Sequence, residues 1–239
     1  MIRRMTRHLL LHAALAASSL ASPSARADGG VDTIYHPYVQ PLEQELELRL
    51  GHEHDTDRRD IETWRLGFGR SVSERVFVEG YLIGQGRRPD ALSLGGYELE
   101  ALWQLTEQGQ YAADWALLGE LERAHDGDSQ SGMMSLIGER QWGRLVGTLN
   151  AGVGYEWGAD VGDEAEARLA LQARYRYSPR LEPALELYAG DKLRALGPAL
   201  LGTERLSPGR RLHWEAGLAL GLDHASADLS LRGRLEYEF

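Results

Sequence analysis

The chain has 239 residues, 26 of them basic and 36 acidic, with a formal net charge of −10, 43% hydrophobic residues and no cysteine. The surplus of acid repels phosphate backbones and excludes nucleic acid as a natural partner. The lack of cysteine excludes a disulfide framework, and no run of eighteen apolar residues is present to cross a bilayer as a helix.

MIRRMTRHLLLHAALAASSLASPSARADGG opens with Arg3, Arg4 and Arg7, continues through an apolar stretch from Leu9 to Leu20, and reaches small residues before Asp28. That is the layout of a secretory signal peptide with an A-x-A-like site at Ala25-Arg26-Ala27, so residues 1–27 are expected to be cleaved. Four arginines leave with them and no acid does, so residues 28–239 carry a formal charge of −14. Residues 28–41 read as a periplasmic N-terminal leader. Within it IYHPYVQP, from Ile34 to Pro41, has two prolines and two tyrosines that also suit a short plug.

From residue 42 to 239 the dominant signal is alternation of period two. Leu46, Leu48 and Leu50 oppose Glu43, Glu45, Glu47 and Arg49; Tyr97, Leu99, Ala101, Trp103 and Leu105 oppose Glu98, Glu100 and Gln104. Leu169, Leu171, Ala173, Tyr175 and Tyr177 oppose Arg168, Gln172, Arg174 and Arg176, and the segment from Leu212 to Leu222 repeats the pattern. Such stretches are strands with one apolar and one polar face. Twelve are predicted: 42–52, 59–69, 75–84, 95–105, 111–123, 132–140, 143–156, 166–177, 182–190, 195–206, 211–222 and 228–239. The tenth contains Pro198, which cannot donate to a ladder and marks a bulge or an edge. Connections after even strands are compact, whereas several after odd strands are longer and richer in charge, Gly and Asp.

A soluble β-sandwich would alternate too, but it manages with strands of about five or six residues. Here the clearest predicted strands run ten to fourteen residues, the length that crosses a bilayer at a tilt. The aromatics on the apolar faces lie near strand ends, with Tyr97, Tyr155 and Trp157 toward the loops and Trp103, Trp115, Tyr175, Tyr177, Trp214, Tyr237 and Phe239 toward the turns. Girdles at two interfaces give that distribution. The expected fold is therefore all-β: an antiparallel transmembrane barrel of about twelve strands, short periplasmic turns and longer extracellular loops.

The closing segment LSLRGRLEYEF alternates Leu229, Leu231, Leu235, Tyr237 and Phe239 with polar residues up to the last position. It resembles the C-terminal signal of bacterial outer-membrane β-barrels, with Tyr237 and Phe239 as the residues read by the barrel assembly machinery. With twelve strands the chain resembles small monomeric channels for acidic sugars, the nucleoside channel and the outer-membrane phospholipase, and no motif selects among them. The resemblance implies a monomer in the outer membrane, surrounded by lipid and lipopolysaccharide, without a cofactor.

If the apolar faces meet lipid, the polar faces line the lumen. The candidate pore-lining residues are Glu45, Glu47, Glu98, Glu100, Arg174, Arg176, Arg232 and Arg234, with Arg232 and Arg234 expected to face the acidic row of the first strand on closure. Walls of opposite charge would orient a small polar solute; the competing reading is a lattice of internal salt bridges that closes the barrel. Outer-membrane acyl hydrolases use a His and a Ser two residues apart, which His224-Ala-Ser226 echoes. The candidate third member, Glu238, lies twelve residues further on, at the opposite end of the closing strand and about 40 Å away at ~3.3 Å per residue, so no catalytic residues are expected. His52, His54 and His125 are weak metal-ligand candidates in outer loops, with nothing to fix a geometry.

Overall fold

The computed structural model describes residues 33–87, 92–159, 162–191 and 193–239; the expected signal peptide and residues 28–32 lie outside them. Twelve strands follow in order: β1 (Gln44–His54), β2 (Ile61–Ser71), β3 (Val76–Arg87), β4 (Ser93–Gln104), β5 (Asp114–Ala124), β6 (Gln130–Trp142), β7 (Leu145–Trp157), β8 (Glu164–Tyr175), β9 (Glu182–Gly190), β10 (Arg194–Ser207), β11 (Arg210–Gly221) and β12 (Leu229–Glu238). Each end falls within three residues of its position predicted from the alternation. Every strand pairs antiparallel with its chain neighbours, and β12 returns to β1 to close the barrel.

The alternation sets which side each residue faces. Along β4, Tyr97, Leu99, Ala101 and Trp103 are exposed on the outer surface, while Glu98 and Glu100 are buried inside. Leu99 is 52% exposed and its neighbour Glu100 only 4%, the reverse of a water-soluble fold. A strand of twelve residues at ~3.3 Å each, tilted by about 40°, rises about 30 Å, the thickness of a hydrocarbon layer. Closure pairs the backbone of every strand on both sides, which an apolar surrounding requires.

Turn chemistry closes the hairpins. Gly143, at φ +62°, starts the two-residue link between β6 and β7, and Gly209, at φ +73°, follows Pro208 between β10 and β11. The longest link, 105–113, lies at this same turn end and is tied down by Gly109 N donating to Asp114 Oδ1 (2.8 Å) and Trp115 N donating to Thr106 Oγ1 (2.8 Å). Pro198 sits inside β10 as a local irregularity: the β10–β11 pairing runs from Leu196–Leu220 to Ala199–Gly217 without a pair at 197 or 198. The seam between β1 and β12 is latched at both ends. Phe239 N donates to Gln44 O (2.9 Å), and Thr56 donates from its backbone and hydroxyl to Asp228 Oδ2 (2.8 and 2.6 Å).

Candidate functional site: a plugged turn half and an open loop half

Residues 33–40 lie inside the barrel rather than beneath it, so the expected periplasmic position of the leader is corrected for this part of it. Tyr35 N donates to Asn150 Oδ1 on β7 (2.7 Å), and Asn150 Nδ2 donates back to Tyr35 O (2.9 Å). The Tyr35 hydroxyl donates to Glu100 on β4 (2.6 Å) and accepts from Arg49 on β1 (2.9 Å), so the residue links β7, through its backbone, to β1 and β4. His36 Nδ1 meets Glu139 on β6 (2.6 Å), Tyr38 donates to Asp114 on β5 (2.8 Å), and Val39 N donates to Gln104 on β4 (2.8 Å). Burial, together with the nearby Glu139 and Asp114 carboxylates, pushes the Tyr38 phenol up and keeps it a donor. Ile34 and Pro37 are fully buried. The physical reason is pairing: the inward row of β4–β7 offers three carboxylates and two amides, and this segment supplies a donor to each.

Beside this plug the turn half is filled by an ion-pair lattice. Glu47 accepts from Arg49, Arg234 and the Tyr81 hydroxyl (2.9 Å for the last), and Arg234 also binds Glu236. The Arg49 guanidinium donates to Tyr81 (2.6 Å) and lies 4.8 Å from the centre of its ring. Glu47, Arg49 and Arg234 are thus each paired with opposite charge and hydrogen-bonded, as a buried ion must be.

Arg232 departs from expectation. The β1–β12 register sets it opposite Gly51, with no carboxylate to meet, so it does not face the acidic row of β1. It reaches instead across Gly217, where a Cβ would lie 2.6 Å from its Nε, to grip both oxygens of Glu186 (2.7 Å each) and Glu215. Arg174 binds Glu182 (2.9 Å), and Arg176, half exposed at the rim, binds Gln141 (3.0 Å).

The loop half holds a cavity of about 650 Å³ whose floor includes Thr33 and Tyr35. Of the eight candidate lining residues, Glu98 alone borders it; Glu45, Glu47, Glu100, Arg174, Arg232 and Arg234 lie outside its lining, and Arg176 is half exposed near the turn end of β8. Its walls come from residues whose inward parity was legible but whose depth was not: Glu120 and Glu122 on β5, Glu164, Glu166 and Arg168 on β8, and Arg65 on β2.

The weaker candidates separate. His54 Nδ1 meets Asp60 (2.8 Å), whose carboxyl this bond holds below the usual range; His52 lies 3.9 Å from Glu62; His125 contacts the Tyr97 hydroxyl (3.0 Å). Among the described residues the groups of three possible ligands are Glu43, Glu45, Glu236 and Glu98, Glu100, Glu120, and no histidine enters either. The Ser226 hydroxyl donates to Asp223 Oδ1 (2.7 Å) and accepts from Arg194 N (2.8 Å), a loop-capping role. Glu238, at the other end of β12, binds Arg211 and His213 (3.3 Å each). Tyr237 and Phe239 stack at 5.5 Å on the closing strand.

No family model and no curated protein matches the sequence. Solved structures do match in fold. The COG4313 outer membrane channel from Pseudomonas putida F1 superposes with a TM-score of 0.62 at 11% identity, over 88% of this chain and all of that one. The KdgM porin, solved in complex with disordered oligogalacturonate, gives 0.53 at 12% identity over 82% and 98% of the two chains. The β domain of the Bordetella autotransporter BrkA also gives 0.53, at 14% identity over 82% and 98%. The fold is that of bacterial outer-membrane barrels, and it is shared by proteins described as a channel, a porin and an autotransporter.

Proposed function

We propose that the protein is a monomeric outer-membrane barrel whose lumen passes small polar solutes, wide at the loop end and narrowed by its own N-terminal segment. The observation that carries this reading is the cavity of about 650 Å³ held inside a barrel with an apolar exterior, walled by charged side chains. A barrel serving only as a scaffold has no need of such a chamber. Single-channel recording in planar bilayers tests it. The expected result is small, discrete conductance from the full chain, rising in a Tyr35→Ala, His36→Ala variant whose plug has lost two anchors. Silence from both chains would favour the second reading, a closed structural or surface-interaction barrel, which the buried plug and the ion lattice support.

Three further expectations belong to the same reading. Residues 1–27 are an export signal, so the mature chain begins at Asp28, which N-terminal sequencing checks. Phe239 is read by the barrel assembly machinery as β12 enters the membrane, and Phe239→Ala is expected to slow insertion. The barrel is not an enzyme: lipid hydrolysis that disappears in Ser226→Ala would overturn that.

A further inference from the structure

The cavity walls are unequal in charge. On β4 and β5, Glu98 stands directly opposite Glu122 and Glu100 opposite Glu120, and the Glu98, Glu100 and Glu120 carboxylates come within 4.8 Å of one another. On β7 and β8, Glu156 stands opposite Glu164, with Glu166 one step further inward on the same face. Like charges paired directly across strands cost stability in a sheet, so both acidic arcs favour positive charge in the space between them.

The basic side chains on the cavity do not cancel this. Arg58 holds Asp55 (3.0 Å), Arg65 holds Glu98 (2.8 Å) and Arg168 holds Glu166 (3.0 Å), so three arginines are committed to acids of the same lining. Among the described lining residues eight carboxyl side chains stand against five arginines. The walls contributed by β9 and by the links before β10 and after β11 are neutral: Tyr188, Ala189, Gly190 and Leu193, then Ala225 and Ala227. A cavity bounded by low-dielectric walls focuses such an excess onto the solute inside it.

We infer that the loop-half cavity admits small cations, inorganic or organic ammonium, in preference to anions, with Glu98, Glu120 and Glu122 as the residues that set the preference. This rests on the channel reading above and names its solute class. The test is the reversal potential across a planar bilayer under a KCl gradient, measured on the full chain and on the Tyr35→Ala, His36→Ala chain. The expected sign is that of potassium permeation. Glu120→Gln and Glu122→Gln keep side-chain shape and hydrogen-bonding capacity while each removes one charge and one like-charge pairing. Each is expected to lower the cation-to-anion permeability ratio about fivefold, because one charge ~8 Å from an ion at high dielectric shifts cation and anion about twofold each in opposite senses. Conductance with a reversal potential at zero or at the chloride sign would overturn the inference and leave the channel intact. An unchanged ratio in both Gln variants would overturn the assignment to these walls. No conductance from either parent chain would overturn the channel reading and the selectivity with it.

Discussion

Leu42 is the residue where local conformation and position conflict most. It adopts φ +68° and is 90% exposed, in the turn where the plug emerges and β1 begins. A side chain in this left-handed region costs about 1–2 kcal/mol, part of which glycine returns through its freer unfolded chain. Leu42→Gly is therefore expected to raise stability by up to about 1 kcal/mol in urea unfolding from lipid vesicles. Next to it Glu43 is pushed up to about 7, by burial first and then by Glu238 and Glu236, against the pull of the Gln40 backbone and Arg211. The folded chain thus holds this proton more tightly than the unfolded chain, whose carboxyl titrates near the ordinary 4.5. Stability is then lost as pH rises from 4.5 through about 7, and levels off above it. Glu43→Gln is expected to remove that slope, so the gap between variant and parent midpoints should widen from pH 4 to pH 8. Arg234→Ala acts in the opposite direction, because it strands the buried Glu47 and Glu236 carboxylates. A loss of about 3–5 kcal/mol is expected in the same unfolding assay.

At the scale of the element, parity was legible in the sequence and depth was not. Period-two alternation decides which side chains point inward, and it placed all twelve strands because a single slip would turn every leucine into the lumen. It does not say how far along the barrel axis a side chain sits or across which neighbour it reaches. Arg232 shows the difference: its partners are set by Gly217 and by a carboxylate on β9, two strands beyond its own neighbour β11. The plug shows it again, since Asn150 could be read as inward-facing but nothing in its neighbourhood announced that it would pair with the Tyr35 backbone. Gly197 marks where β10 is least tolerant. A Cβ there would lie 1.8 Å from the Leu218 carbonyl oxygen, beside a proline that has no N–H to offer. Gly197→Ala is expected to destabilise the barrel by about 1–3 kcal/mol through the forced separation of β10 and β11.

For the whole molecule the governing fact is an inverted polarity, with leucine outside and ions within. The aromatics at strand ends follow from it: Tyr97 and Tyr155 at the loop end, and Trp103, Tyr175, Tyr177 and Phe239 at the turn end, are all exposed on the outer surface. The acidic composition also finds its place, because much of it is gathered on the inner wall, where Glu45, Glu79, Glu139, Glu186 and Glu215 are buried. An arginine in place of Leu99, near the middle of an outward face, is expected to cost about 2–4 kcal/mol in a bilayer. The natural lack of cysteine permits a direct test of which face meets hydrocarbon. Single cysteines at Glu98, Leu99, Ala101 and Glu122 would carry a fluorophore into vesicles of lipid brominated along the acyl chain. Strong quenching is predicted at 99 and 101 and little at 98 and 122; equal quenching at all four, or quenching confined to 98 and 122, would contradict the account.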